Sequence, residues 1–125
     1  MVLIIDDEEI VRSAATSALR GLGYGVLTAC DGAQAVQVFR SLHTAISLVI
    51  LDLTMPGISG EETLQQLRSI NADTPIILSS GFSGVEASRR FGDSGVAGFL
   101  QKPYRLETLA RHVSAAIEPA ASGAE

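Results

Sequence analysis

Short unbroken apolar runs alternate along the chain with longer segments in which apolar residues recur every three or four positions. The first run, Val2-Leu-Ile-Ile5, has no polar interruption, as in a parallel strand buried on both faces. Behind it, Ile10, Val11, Ala14, Ala15, Ala18, Leu19 and Leu22 keep helical spacing. Glu8 and Glu9 are placed in the first turn of that helix, where they complement its dipole, and Gly21 and Gly23 end it. Residues 25–29 form a second run. Asp31 and Gln34 then have capping-box spacing ahead of a helix carrying Ala35, Val36, Val38, Phe39 and Leu42. Residues 46–51 read as the third strand and Met55-Pro-Gly57 as a loop. Ser59 and Glu62 form a second capping box, before Leu64, Leu67 and Ile70. Residues 75–79 give a fourth strand, 84–91 a weaker helix poor in large apolar side chains, and 96–100 a fifth strand. The last helix, 105–117, aligns Leu106, Leu109, Ala110, Val113 and Ile117 on one face.

Five strand–helix units predict an α/β doubly wound parallel sheet with five helices, occupying residues 1–118, followed by a tail or linker at 119–125. The pattern does not determine the strand order; among known doubly wound orders, 2-1-3-4-5 suits five strands. The 125 residues accommodate one domain, and 46% hydrophobic content is enough for a packed core. A net charge of −5 argues against nucleic acid as a direct partner. No apolar run approaches the roughly 18 residues that span a bilayer, so no membrane contact is expected. The start reaches Asp6 and Asp7 without a basic region, unlike a signal peptide. A single cysteine, Cys30, excludes an internal disulfide and a cysteine-based zinc site, and a reducing cytoplasm is the default setting.

In open α/β sheets, ligands bind beyond the carboxyl ends of the strands. There the first run ends in Asp6-Asp7, the third in Asp52, the fourth in Ser79-Ser80-Gly81 and the fifth in Gln101-Lys102-Pro103. Clustered carboxylates resist ionisation, and a hard divalent cation such as Mg²⁺ relieves them. Lys102 is the only lysine, a compact charge suited to a phosphate-sized group. No Walker loop or dinucleotide motif offers a nucleotide site. A phosphoryl group would therefore land on the protein, with Asp52 as nucleophile, because aspartate can form an acyl phosphate.

These residues resemble the receiver domains of two-component signalling, the response regulator family, from Val2 to Ile117. The matching motifs are Asp6-Asp7-Glu8, Leu51-Asp52-Leu-Thr-Met-Pro56 with Gly60, Ser80-Gly81 and Lys102-Pro103. Asp52 follows Asp7 by 45 residues, Ser80 follows Asp52 by 28, and Lys102 follows Ser80 by 22. The resemblance implies a flavodoxin-like sheet of order 2-1-3-4-5, with Mg²⁺ held by Asp6, Asp7, Asp52 and the Thr54 carbonyl. It implies a phosphoryl group on Asp52, contacted by Thr54, Ser80, Gly81 and Lys102, and a cis bond before Pro103. Ser80 and Phe99 take the switch positions, where serine replaces the usual threonine and phenylalanine lacks a tyrosine hydroxyl. Phosphorylation would alter the face formed by the fourth helix, fifth strand and fifth helix. The implied partners are a histidine kinase or histidine phosphotransfer domain, or a second receiver in a dimer. The isolated domain would not be an enzyme beyond its own phosphorylation and dephosphorylation. Residues 51–63, 76–83 and 98–106 resemble the carboxyl-terminal receivers of bacterial hybrid sensor histidine kinases.

Plainer roles stand beside these. Asp7 could cap the first helix, Asp52 could be a loop aspartate and Lys102 a surface lysine. His43 and His112 read as ordinary helix or surface residues. Cys30 reads as a small buried hydrophobe, and Phe39, Phe91 and Leu109 as core. Phe82 has no assigned role. A stand-alone response regulator, a haloacid-dehalogenase-type hydrolase and a pseudo-receiver are the alternatives; Thr54, where the hydrolase needs a second aspartate, and the complete Asp/Ser/Lys set weigh against the last two.

Overall fold

A computed structural model of the chain describes residues 1–53, 60–81, 89 and 95–117. Five parallel strands, β1 (Val2–Ile5), β2 (Val26–Ala29), β3 (Leu48–Asp52), β4 (Ile76–Ser80) and β5 (Gly98–Gln101), form one sheet in the order 2-1-3-4-5. The helices among the described residues are α1 (Glu9–Gly21), α2 (Gly32–Leu42), α3 (Gly60–Ile70) and α4 (Leu106–Ile117). The weaker helix expected at 84–91, with Phe82 and Phe91, lies outside the described residues apart from Arg89, which is helical and exposed. The tail at 119–125, the loop at 55–57 and Ser59 lie outside them too. Among the described residues no helix is long and apolar enough to cross a membrane.

Strand alternation explains the two layers of helices. Leu3, Ile5, Val49, Leu51, Ile76 and Leu78 face α2 and α3, around a fully buried Phe39. Val2, Ile4, Leu48, Ile50, Ile77 and Leu100 face α1 and α4, where Leu19, Leu109 and Val113 close the core. Adjacent residues of one strand thus serve opposite cores, which is why the runs read as continuously apolar.

Local chemistry sets the element ends. Gly23 adopts φ +97° behind α1, a conformation that L side chains resist, while its N–H donates to the Arg20 carbonyl. At α2 the Asp31 carboxylate accepts from the Gln34 N–H, and the Gln34 side chain accepts in turn from the Cys30 N–H. This is a capping box whose return bond lands one residue early.

Several expectations shift: the fifth strand, read at 96–100, spans Gly98–Gln101, and Leu42 and Leu106, at the ends of their helices, are exposed. The third strand begins at Leu48, two residues later than read, because His43–Ala45 makes a 3₁₀ turn and pairing with β1 starts at Val2 opposite Leu48. Ile10 and Leu22 carry the helical spacing yet are exposed, Ile10 at 84%. Only Ala15 and Leu19 of α1 are fully buried, since the ends of the helix overhang the sheet. Cys30 is exposed, because it lies one residue past the end of β2, an edge strand that stops at Ala29.

Candidate functional site

The backbone ladder runs one residue past several strands, and this places the polar side chains on one rim. The Asp6 N–H donates to the Ala29 carbonyl, the Leu53 N–H to that of Ser79, and the Lys102 N–H to that of Ser80. Asp6, Asp52 and Lys102 are therefore anchored by the sheet at the carboxyl ends of β1, β3 and β5. Behind Asp52 the chain is tightly packed. A Cβ at Gly60 would stand 2.6 Å from Leu53 Cα, so a side chain there would displace the residue next to Asp52.

Lys102 is the centre of the rim. Its Nζ donates to Asp6 Oδ2 at 2.9 Å, Glu8 Oε1 at 2.9 Å and Asp52 Oδ2 at 3.1 Å. The Asp52 side chain is 0% exposed and that of Asp6 is nearly buried, whereas Glu8 is 60% exposed. Asp6 is held from a second side, since its Oδ1 accepts from the Glu8 N–H and its carbonyl from the Arg12 guanidinium. Asp7 is exposed, and Glu8 rather than Asp7 caps α1 in position. Carboxylate oxygens of Asp6, Asp7, Glu8 and Asp52 all lie within 4.8 Å of one another. Hard oxygen donors of this kind suit Mg²⁺, so the residues present fit that ion.

The charges act on one another. Burial raises the Asp6 carboxyl above the ordinary range, against the opposing hydrogen bonds from the Glu8 N–H and Lys102, and the Asp52 charge adds to the rise. Burial alone would lower the Lys102 ammonium, but acceptance by Glu8 and Asp6 and the charge of Asp52 outweigh it and hold the group above its usual value. The Tyr104 phenol, beside Lys102 and Pro103, is pushed up to about 12, mostly by burial and next by the Asp6 charge.

Ser80 is buried at the end of β4, and Gly81 follows it, exposed. Phe99 is half-buried on β5, opposite Leu78, and packs against the α2–α3 side of the core. It also lines a cavity of about 370 Å³ with Tyr104 and Thr108. The Lys102–Pro103 bond is cis. Thr54 lies outside the described residues. His43 contacts Asn71 and the Phe39 ring, His112 contacts the Thr108 carbonyl, and both are remote from the rim.

Glu8 is the residue the sequence reading missed as a member of the site. It was expected to serve the helix dipole, but its side chain makes no cap and reaches Lys102 instead. Its adjacency to Asp6 and Asp7, in a chain with one lysine, was the available signal.

A model of the response regulator receiver domain matches residues 2–114. The chain is 32% identical over 117 residues to the sensor kinase CckA of Brucella abortus, covering 94% of this chain and 12% of that protein. The receiver domain of the hybrid histidine kinase CckA superposes with a TM-score of 0.79 at 35% identity, covering 93% of this chain and 97% of that one. The response regulator TrrA of Thermotoga maritima, solved in complex with Mg²⁺ and beryllofluoride, gives a TM-score of 0.80 at 30% identity, over 92% and 96% of the two chains.

The raised Asp6 carboxyl carries a sign. A carboxyl that ionises less readily folded than unfolded weakens the fold when charged, and that cost disappears as pH falls through its folded value towards the ordinary 3.8. Asp6→Asn is therefore expected to raise the Tm in metal-free buffer at pH 7, with a gain that shrinks as pH approaches 4. Calorimetric scans across that range check this; a gain that does not change with pH contradicts it.

Proposed function

Because the chain belongs to the response regulator receiver domain family, we propose that it accepts a phosphoryl group on Asp52 from a partner histidine, in an Mg²⁺-dependent phosphorelay of two-component signalling. The observation that carries this reading is the buried Asp52 carboxylate bonded to the only lysine of the chain. A carboxylate with no wider role would not be kept wholly out of water at the rim of a sheet.

In the proposed step, an Asp52 carboxylate oxygen forms a bond to phosphorus while the phosphorus–nitrogen bond of a phosphohistidine breaks. The imidazole leaves with the bonding pair, neutral when its other nitrogen carries a proton. Asp6, Asp7 and Asp52, with the Thr54 carbonyl, would hold Mg²⁺, which supplies positive charge to the phosphoryl oxygens. Lys102 donates to one of those oxygens. The Ser80 hydroxyl, the Gly81 N–H and Thr54 serve the others. The domain is then a phosphoacceptor and not an enzyme acting on a separate substrate. Its likeness to a CckA receiver supports an origin within a longer, cytoplasm-facing sensor kinase, with a histidine kinase or phosphotransfer domain as partner and a second receiver as a further one.

Acetyl phosphate with Mg²⁺ is expected to add the mass of one phosphoryl group to the intact protein. Asp52→Asn abolishes that gain. Full labelling of the Asn variant, or turnover of phosphomonoesters by the parent, would falsify the assignment.

The response is proposed to run through Ser80 and Phe99. Attraction of the Ser80 hydroxyl to a phosphoryl oxygen vacates space at the end of β4, and the Phe99 ring, bulky and restricted to few rotamers, moves as a two-position element. That changes the face presented by β5 and α4. NMR shifts across residues 95–109 on adding beryllofluoride are expected in the parent and lost in Ser80→Ala, which still accepts phosphate on Asp52. Equal shifts in both proteins would contradict the coupling.

A further inference from the structure

Lys102 has three ammonium hydrogens, and Asp6, Glu8 and Asp52 accept all three. On the phosphoacceptor reading above, Lys102 must also donate to a phosphoryl oxygen, so one of these bonds has to yield. The three are not equivalent. Asp6 is buried, and its other oxygen and its carbonyl are both engaged, by the Glu8 N–H and by Arg12. Asp52 is the wholly buried phosphoacceptor itself. Glu8 alone is 60% exposed, and its carboxylate can return to water at small cost.

We propose that Glu8 is a positioning residue that latches Lys102 in the unphosphorylated state and competes with the phosphoryl group for its third hydrogen. The backbone supports this assignment. Glu8 occupies the N-cap position of α1 but makes no side-chain cap, so its carboxylate is not committed to the helix and is spent on Lys102. Glu8 also lies within 4.8 Å of the other site carboxylates, so its charge acts on a cation with the opposite sign from its action on an anion. A latch therefore has a signature that simple loss of structure lacks: its removal tightens phosphoryl-analogue binding and weakens metal binding.

The test uses titration calorimetry on the parent, Glu8→Gln and Glu8→Ala. Mg²⁺ is titrated alone, then beryllofluoride at saturating Mg²⁺. Glu9→Gln is the control. It removes the neighbouring charge, but its side chain lines the groove towards β2 with Arg12 and Arg20 rather than the Lys102 site. The expected result is beryllofluoride binding about two- to fivefold tighter in both Glu8 variants, the range of a half-exposed ion pair. Mg²⁺ binding weakens in both, and beryllofluoride affinity is unchanged in Glu9→Gln. Unchanged or weaker beryllofluoride binding in the Glu8 variants overturns the latch, as does an equal gain in Glu9→Gln. Failure of the parent to bind beryllofluoride at all sinks the phosphoacceptor reading and the latch with it; binding by the parent without a gain in the variants sinks the latch alone.

Discussion

One ammonium group set among carboxylates is the constraint around which the functional end of this molecule is built. Asp6 and Asp52 are buried side by side, and burial without a counter-charge is costly for either. Lys102 supplies the charge from the opposite half of the sheet, 50 residues along the chain from Asp52 and 96 from Asp6. The contact ties β1, β3 and β5 together at one end, and it is polar where the rest of the sheet is held by packed apolar layers.

The sheet makes this arrangement reproducible. Asp6 and Lys102 stand one residue past their strands and Asp52 is the last residue of its own, and the hydrogen bonds of Asp6, Leu53 and Lys102 to the neighbouring strands fix their positions. Side chains on such a scaffold have little freedom, which suits the proposed capture of a phosphoryl group with several oxygens to satisfy. The close approach of Gly60 to Leu53 serves the same end by holding the chain behind Asp52. Glu8 stands apart as the exposed member, reaching Lys102 through its carboxylate.

Periodicity and strand ends made the sheet and the rim of the site legible in the sequence. The run Val2–Ile5 announced a strand with two buried faces, and it serves both cores. Asp6, Asp52 and Lys102 could be grouped because parallel strands bring their carboxyl ends together. The expected Thr54 carbonyl ligand and the Ser80–Phe99 switch came from resemblance, as did support for the strand order, since periodicity carries no information about neighbours. Ile10, Leu22 and Cys30 were misjudged because spacing reports a face of an element and not how far that element overhangs its neighbours. Glu8 was misjudged because a carboxylate at a helix start has a sufficient local explanation. Only the distance to a lysine 94 residues away shows that its charge is spent elsewhere.

If Lys102 occupies the place of a cation among these carboxylates, it and a metal ion compete for the same oxygens. The most direct measurement is the Mg²⁺ affinity of Lys102→Met by titration calorimetry, alongside its Tm with and without the ion. Tighter Mg²⁺ binding than in the parent, a lower Tm in metal-free buffer and recovery of that loss on adding Mg²⁺ are expected. Unchanged or weaker Mg²⁺ binding, with a Tm that the ion does not restore, would contradict that competition.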